Sequence, residues 1–411
     1  MRRVVITGMG VITSCGLNVD DFWDKIKSGK HGFSHISAFD TDDFHCRYAA
    51  EIKDWDPTAH NIPKKEARRM DLYTQYAMAA ANQAIENNKG FAEGLDPYRI
   101  GVLVGTGIGG FTTFEDDHSK FIEKGAARVS VFFIPTMISN MAAGQIAIAH
   151  GFKGDNFSPV SACSSSAHAI GEAFRKIKHG YLDAAVCGGA EATISKFAMG
   201  GFANMGALAA GDDPDRLSIP FDKERRGFVM GDGAGIIILE ELERAKARGA
   251  HIYAEIVGYG ATDDAHHMTS PDPSGEGTSK AMELAVRESG MSLADIGYIN
   301  AHGTSTELND KGETSAIKQL FGEHAYKLAV SSTKSMTGHL LGAAGVVESI
   351  ITAKALEDGV LPPTAGYKVP DPECDLDYIT EGARKTQAEA ALSNSLGFGG
   401  HNVSLAIKRY I

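Results

Sequence analysis

The chain lacks most of the features that would assign it by composition alone. Nowhere in its 411 residues does an apolar run approach the roughly 18 needed to cross a bilayer. The opening Met1-Arg2-Arg3-Val4-Val5-Ile6-Thr7-Gly8 has too short an apolar stretch for a secretory signal, so a cytoplasmic location is expected. The five cysteines, Cys15, Cys46, Cys163, Cys187 and Cys374, are odd in number, scattered, and form no C-x-x-C pair. That argues against a disulfide framework and a cysteine-held zinc ion. Positive charge is in deficit: 40 Lys and Arg against 52 Asp and Glu leave a net charge of -12, which disfavours nucleic acid or an anionic membrane as the main partner. The fifteen histidines include no H-E-x-x-H, and the adjacent His266 and His267 point to different faces. No metal is therefore expected. Low-complexity tracts and Pro- or Ser-rich linkers are missing too, so any division of the chain has to be read from its pattern.

What is present is glycine and apolar sequence. With 43% hydrophobic and 22% charged residues the chain reads as soluble and globular, and its 47 glycines imply many tight turns and close backbone approaches. Its length exceeds one ordinary core. Short apolar runs alternate with helical periodicity over Tyr73–Asn88, Ala167–His179 and Val346–Glu357, which predicts a layered α/β architecture with buried sheets.

The runs also repeat. Val4-Val5-Ile6-Thr7-Gly8-Met9-Gly10 resembles Ala254-Glu255-Ile256-Val257-Gly258-Tyr259-Gly260, and Val102-Leu103-Val104-Gly105-Thr106-Gly107 resembles Tyr298-Ile299-Asn300-Ala301-His302-Gly303. Each half closes with a glycine-rich turn feeding a strand, Gly231–Gly235 before Ile236-Ile237-Ile238 and Gly397–Gly400 before Val403-Ser404-Leu405. The pattern divides the chain into 1–250 and 251–411, two similar halves. Active groups are expected at strand ends or helix starts along their seam.

Cys163 is the first candidate. It lies in Ser161-Ala162-Cys163-Ser164-Ser165-Ser166, ahead of the helical positions Ala167, Ile170, Phe174 and Ile177. The unpaired N–H groups of a helix start favour an anion, so thiolate character is expected there. Alone it reads equally as a small core hydrophobe. Two histidines change that reading: His302 and His339 are each flanked by glycine, which leaves the imidazoles little shielded. A cysteine can take an acyl group from a thioester, and two imidazole N–H groups can stabilise an enolate formed from a second one. The product of that combination is a carbon–carbon bond.

A nicotinamide enzyme is the rival, because Gly105-Thr106-Gly107-Ile108-Gly109-Gly110 fits G-x-G-x-x-G after a strand-like run. The acidic residue expected about 20 positions on is absent, since that stretch reads Ala126-Ala127-Arg128-Val129-Ser130. A basic cluster, Lys64, Lys65, Arg68 and Arg69, is expected near the start of a helix continuing through Tyr76–Ala81. It is either a solvated face or a landing site for an acidic partner.

Four segments carry a resemblance. Ala162-Cys163-Ser164-Ser165, Asn300–Thr306, Ser332-Thr333-Lys334 through Gly338–Gly345, and Asn394–Asn402 together resemble a β-ketoacyl-[acyl-carrier-protein] synthase, in the right order and across essentially the whole chain. The elongating type II members are the most similar. The resemblance implies a duplicated thiolase-like fold layered α-β-α-β-α, a homodimer, and ping-pong chemistry with acyl carrier protein, which delivers both acyl and malonyl groups on its 4'-phosphopantetheine. No cofactor of the enzyme's own is implied.

Cys163 would then accept the acyl chain, and His302 and His339 would bind the malonyl thioester oxygen. The N–H groups of Cys163 and Phe398 would form an oxyanion hole. Lys334 would act electrostatically, with Asp310, Glu313 or Glu348 as its partner. Thr304 and Thr306 would meet the pantetheine arm, Phe398 would gate the site, and Ile108 and Phe202 would line the acyl tunnel. Lys64, Lys65, Arg68 and Arg69 would receive the carrier protein. A synthase I or a polyketide ketosynthase, with the same chemistry, is the alternative. A chain-length-determining subunit would lack the nucleophile, an initiating synthase one histidine. One departure stands out: many relatives have proline after the position of Thr306, whereas Glu307-Leu308-Asn309 follows here.

Overall fold

The computed structural model describes residues 1–411. Ten strands form its main sheet: β1 (Val4–Thr13), β2 (Ile100–Gly105), β3 (Asn156–Phe157), β4 (Ala184–Glu191), β5 (Gly233–Glu241), β6 (Ala254–Asp263), β7 (Ile296–Asn300), β8 (Ala329–Ser331), β9 (Ala390–Gly397) and β10 (His401–Arg409). Their order is β8-β7-β9-β10-β6-β1-β5-β4-β2-β3. Read outward from the β6/β1 junction, the two sides have the same connectivity. The repeated segments therefore occupy equivalent places, β1 beside β6 at the centre and β2 and β7 one strand from either edge. The junction itself is short, with only Val4, Val5 and Ile6 paired antiparallel to Ile256, Glu255 and Ala254.

The main helices are α1 (Leu72–Glu86), α2 (Phe111–Lys124), α3 (Met141–His150), α4 (Ser165–Lys178), α5 (Lys196–Asn204), α6 (Glu276–Ser289), α7 (Glu307–Phe321) and α8 (Ala344–Asp358). Helix α1 covers the outer face of β1, β5 and β4, and α6 covers that of β6, β10 and β9. Helices α4 and α8 pack on strands from both halves and on each other. They form the middle layer of an α-β-α-β-α stack, as expected. This layer holds the largest apolar cluster of the molecule, including Ile170, Phe174, Ile350 and Ile351.

Glycine makes the outer layers fit. A Cβ on Gly10 of β1 would lie 2.0 Å from the Ala80 carbonyl of α1, and one on Gly260 of β6 would lie 1.9 Å from the Ala281 carbonyl of α6. These are steric overlaps, so strand and helix touch backbone to backbone at the same place in both halves. The three expected helices are present with ends shifted by one to two residues, within ordinary boundary scatter. The helix expected to carry the basic cluster differs. Lys64–Ala67 is a separate single turn, and Asp71 caps α1 by accepting from the Tyr73 N–H. A buried Asp at an N-cap starts a helix and does not sit inside one; here it also accepts from Thr113 N at 2.8 Å.

Candidate active site

Cys163 lies in a turn of 3-10 helix, Ala162–Ser164, directly ahead of α4. Ala162 takes φ +50°, a left-handed conformation that costs a non-glycine residue energy. On the other half His302 follows the end of β7, and Glu313 of α7 fixes its backbone by accepting from His302 N at 2.9 Å and Gly303 N at 2.8 Å. Asn394 of β9 donates to the same carboxylate at 3.1 Å. His339 is pinned on both sides, its N–H on Val229 O at 2.7 Å and its carbonyl receiving Gly231 N at 3.0 Å.

These supports bring the three candidates together. Nε2 of His339 is 3.0 Å from Sγ of Cys163. The imidazoles of His302 and His339 meet edge to face with ring centroids 5.3 Å apart. Ligand-capable atoms of all three lie within 4.8 Å of one another. One soft thiol and two imidazoles are also a possible donor set for zinc or copper. Lys334 bears on that alternative: its ammonium, buried and paired with Glu348, adds positive charge to both histidines, and a cation at this spot would face it.

The electrostatics depart from the sequence expectation. Burial pushes the Cys163 thiol up to about 12, opposed by Lys334 and by the Phe398 N–H and reinforced by Glu191 and Glu348. Desolvation of a thiolate outweighs the helix start here, so the resting sulfur is a thiol. Burial first, and Lys334 second, hold His302 and His339 well below the ordinary imidazole range. Both rings are neutral at physiological pH, and His339 is available to take the thiol proton. Of the three carboxylates considered for Lys334, Glu348 is its partner, itself raised to about 7 by burial. Asp310 instead faces Arg225 at 3.6 Å, and Glu313 holds His302.

The remaining candidates line one cavity of about 490 Å3, together with Cys163, His302 and His339. Ile108, Phe202 and Leu341 form apolar wall, and Phe228 stands edge-on to His339 at 5.0 Å. Thr304 and Thr306, which also line the cavity, share a 2.8 Å hydroxyl contact. Phe398 is 36% exposed at the cavity, between Gly397 and the left-handed Gly399 and Gly400. Its backbone N–H is among the groups that favour the anionic form of Cys163 against the larger effect of burial. After Thr306, Glu307 begins α7 directly, with Thr306 in the N-cap position. The departure from proline thus leaves the helix start intact, and Glu307, Leu308 and Asn309 all border the cavity. Lys64, Lys65, Arg68 and Arg69 are exposed and outside the cavity lining.

Residues 1–245 match the Beta-ketoacyl synthase N-terminal domain and residues 253–368 the Beta-ketoacyl synthase C-terminal domain. The chain belongs to the β-ketoacyl synthase family. A 3-oxoacyl-[acyl-carrier-protein] synthase 2 from Synechocystis sp. is 50% identical over 410 residues, which is 100% of this chain and 98% of that protein. A Staphylococcus aureus protein of the same name is 48% identical over 409 residues, 100% and 99% of the two chains. Among solved structures, a type II PKS acyl-carrier protein in complex with its ketosynthase, bound to the hexaketide, matches over 100% of both chains with a TM-score of 0.92 and 31% identity. This β-ketoacyl synthase is accordingly a condensing acyltransferase with the thiolase-like ketosynthase fold. Sequence reasoning singled out the cysteine and both histidines, which the structure brings together, but not Glu191, which is fully buried and accepts the N–H groups of the cavity residues Gly107 and Ile108. Its only local signal was a carboxylate at the end of the apolar strand Ala184–Ala190.

Proposed function

We propose that this synthase elongates fatty acyl chains on acyl carrier protein by decarboxylative condensation with malonyl-carrier protein. The observation that carries the reading is the 3.0 Å approach of His339 Nε2 to Cys163 Sγ, with His302 in the same cavity. In the first half-reaction Cys163 attacks the acyl thioester carbonyl and His339 takes the thiol proton. The N–H groups of Cys163 and Phe398 receive the developing oxyanion. Collapse of the tetrahedral intermediate breaks the bond to the carrier-protein sulfur, which leaves as a thiol with the proton returned by His339, and acyl-Cys163 remains.

Malonyl-carrier protein then binds, Thr304 and Thr306 meeting its pantetheine arm. Breakage of the malonyl C–C bond releases carbon dioxide, and its electron pair becomes an enolate whose oxygen takes N–H bonds from His302 and His339. The enolate carbon attacks acyl-Cys163, the C–S bond breaks with its electron pair going to sulfur, and 3-oxoacyl-carrier protein leaves as Cys163 takes a proton from solvent to return to the thiol. Neutral histidines suit the second step, because each offers an N–H without bringing a cationic charge. The step needs no resident cofactor. Burial keeps both rings neutral, and the positive field of Lys334, on Glu348, adds to it. A polyketide ketosynthase would use the same chemistry; 50% identity to an elongating synthase against 31% to a ketosynthase of that class favours elongation.

Two further assignments belong to this reading. The exposed turn Lys64–Arg69 receives the acidic carrier protein. A second copy of the chain covers the edge strand β3, whose two residues are exposed, and the apolar surface around Val131, Phe132, Ile134, Ile148 and Val160. Monomers rarely leave such a patch and an unpaired edge in water. The domain boundary falls at 250/251, and the enzyme works in the cytoplasm; no helix is long and apolar enough to cross a membrane. The test uses radiolabelled acyl-carrier protein. Cys163→Ala abolishes label transfer and condensation, whereas His302→Ala keeps acylation and loses malonyl decarboxylation. Label retained on Cys163→Ala rejects the mechanism.

A further inference from the structure

Glu191 is the last residue of β4 and is fully buried, yet it forms no ion pair. Its oxygens are occupied by four donors. Oε2 accepts from Gly107 N at 2.7 Å and Gly342 N at 2.9 Å, and Oε1 accepts from Ile108 N at 3.2 Å and the Thr106 hydroxyl at 2.8 Å. Thr106 Oγ1 in turn accepts from Gly109 N at 3.1 Å, which directs its own proton to Glu191. Four donors fill the four lone-pair sites of a carboxylate, the arrangement of an anion held by charge-assisted bonds.

The two segments so tied are the turn bearing Ile108 and the segment just after Leu341, and both of those side chains line the Cys163 cavity. Between them there is no room for anything else. A Cβ on Gly107 would lie 2.9 Å from Glu191 Oε2, and one on Gly342 would lie 2.2 Å from Gly107 N. Ile108 is 38% exposed, so packing does not hold it in place. We propose that Glu191 is a positioning residue that sets acyl-chain preference, by clamping the Ile108 turn against Leu341–Gly342 at the floor of the cavity. The proposal rests on reading that cavity as the acyl site.

A glutamine at 191 has one accepting oxygen and an amide that only donates: in the Oε2 place the amide faces the N–H groups of Gly107 and Gly342, one on each segment, and in the Oε1 place it faces that of Ile108. The freed turn lets Ile108 move, and the cavity then admits chains it formerly disfavoured. The experiment measures kcat/KM across a series of acyl-carrier proteins of increasing chain length for the full-length enzyme, Glu191→Gln, Thr106→Val and Ile108→Ala. The expected result is that Glu191→Gln and Thr106→Val flatten the ratio of preferred to disfavoured chains by about tenfold, with the malonyl-carrier KM unchanged. Thr106→Val removes a single link and carries the test if Glu191→Gln fails to fold. A uniform fall for all chains, or an unaltered profile, alongside a shifted profile in Ile108→Ala, overturns the clamp. An unaltered profile in Ile108→Ala itself overturns the acyl-site reading beneath it.

Discussion

Titration of single buried groups separates catalysis from stability in this molecule. His302 and His339 are neutral when folded, held well below the ordinary imidazole range by burial, but take up protons below about pH 6.5 once unfolded, so they weaken the fold as pH falls below that value. Asp232 has the opposite sign. It is wholly buried, accepts Thr193 N at 2.7 Å and Ile194 N at 3.2 Å on one oxygen, and burial raises it to about 7. A carboxyl raised in the folded state binds its proton there and not in the unfolded chain. Its stabilisation is present below about pH 4 and disappears as pH rises to about 7, at up to about 1.4 kcal/mol per pH unit. Asp232→Asn keeps an accepting oxygen and carries no charge. Its urea midpoint is expected to gain on the wild type from pH 4 to 7 and then run parallel; a constant offset across that range would show that Asp232 does not titrate there.

Among elements, the single turn Lys64–Ala67 with its following arginines is the clearest case for partner recognition. Its cations are exposed, and the turn is short, so charge can change without disturbing a core. Charge reversal at Lys65 and Arg69 is expected to raise the KM for carrier protein several-fold at low salt, with the difference shrinking as salt is added. A KM that does not move assigns the turn to solvated surface. The break between this turn and α1 also shows how far the sequence could be read. The spacing of Lys64, Lys65, Arg68 and Arg69 mimics a helical face, and only the capping role of Asp71 ends it. Likewise Lys334 had three acidic candidates within reach of the pattern. Which one it meets depends on how α8 docks against the turn that carries Lys334, and that is a tertiary fact. The thiol of Cys163 was misjudged for the same reason: a helix start is visible in sequence, whereas the burial that overrides it comes from segments far along the chain.

For the whole molecule, repetition made the architecture legible. Apolar runs ending in glycine recur in both halves because each must lay a strand against a helix backbone, and the fold places the repeats as counterparts about β1 and β6. The exposed apolar surface at 131–160, which we propose a second copy covers, was less legible, since such residues look like core in a linear sequence. Val131→Asp with Phe132→Asp is expected to yield a monomer by sedimentation; a dimer that persists would place the interface elsewhere.

The three reactive groups are divided across the short β1/β6 junction, with the thiol on one side and both imidazoles on the other. During synthesis the thiol emerges about 140 residues before the first of these histidines. Throughout that interval the growing chain has Cys163 but neither His302 nor His339. On the reading proposed above, a truncated or half-folded product is therefore unable to condense, and competence arrives only when the second half has closed against the first.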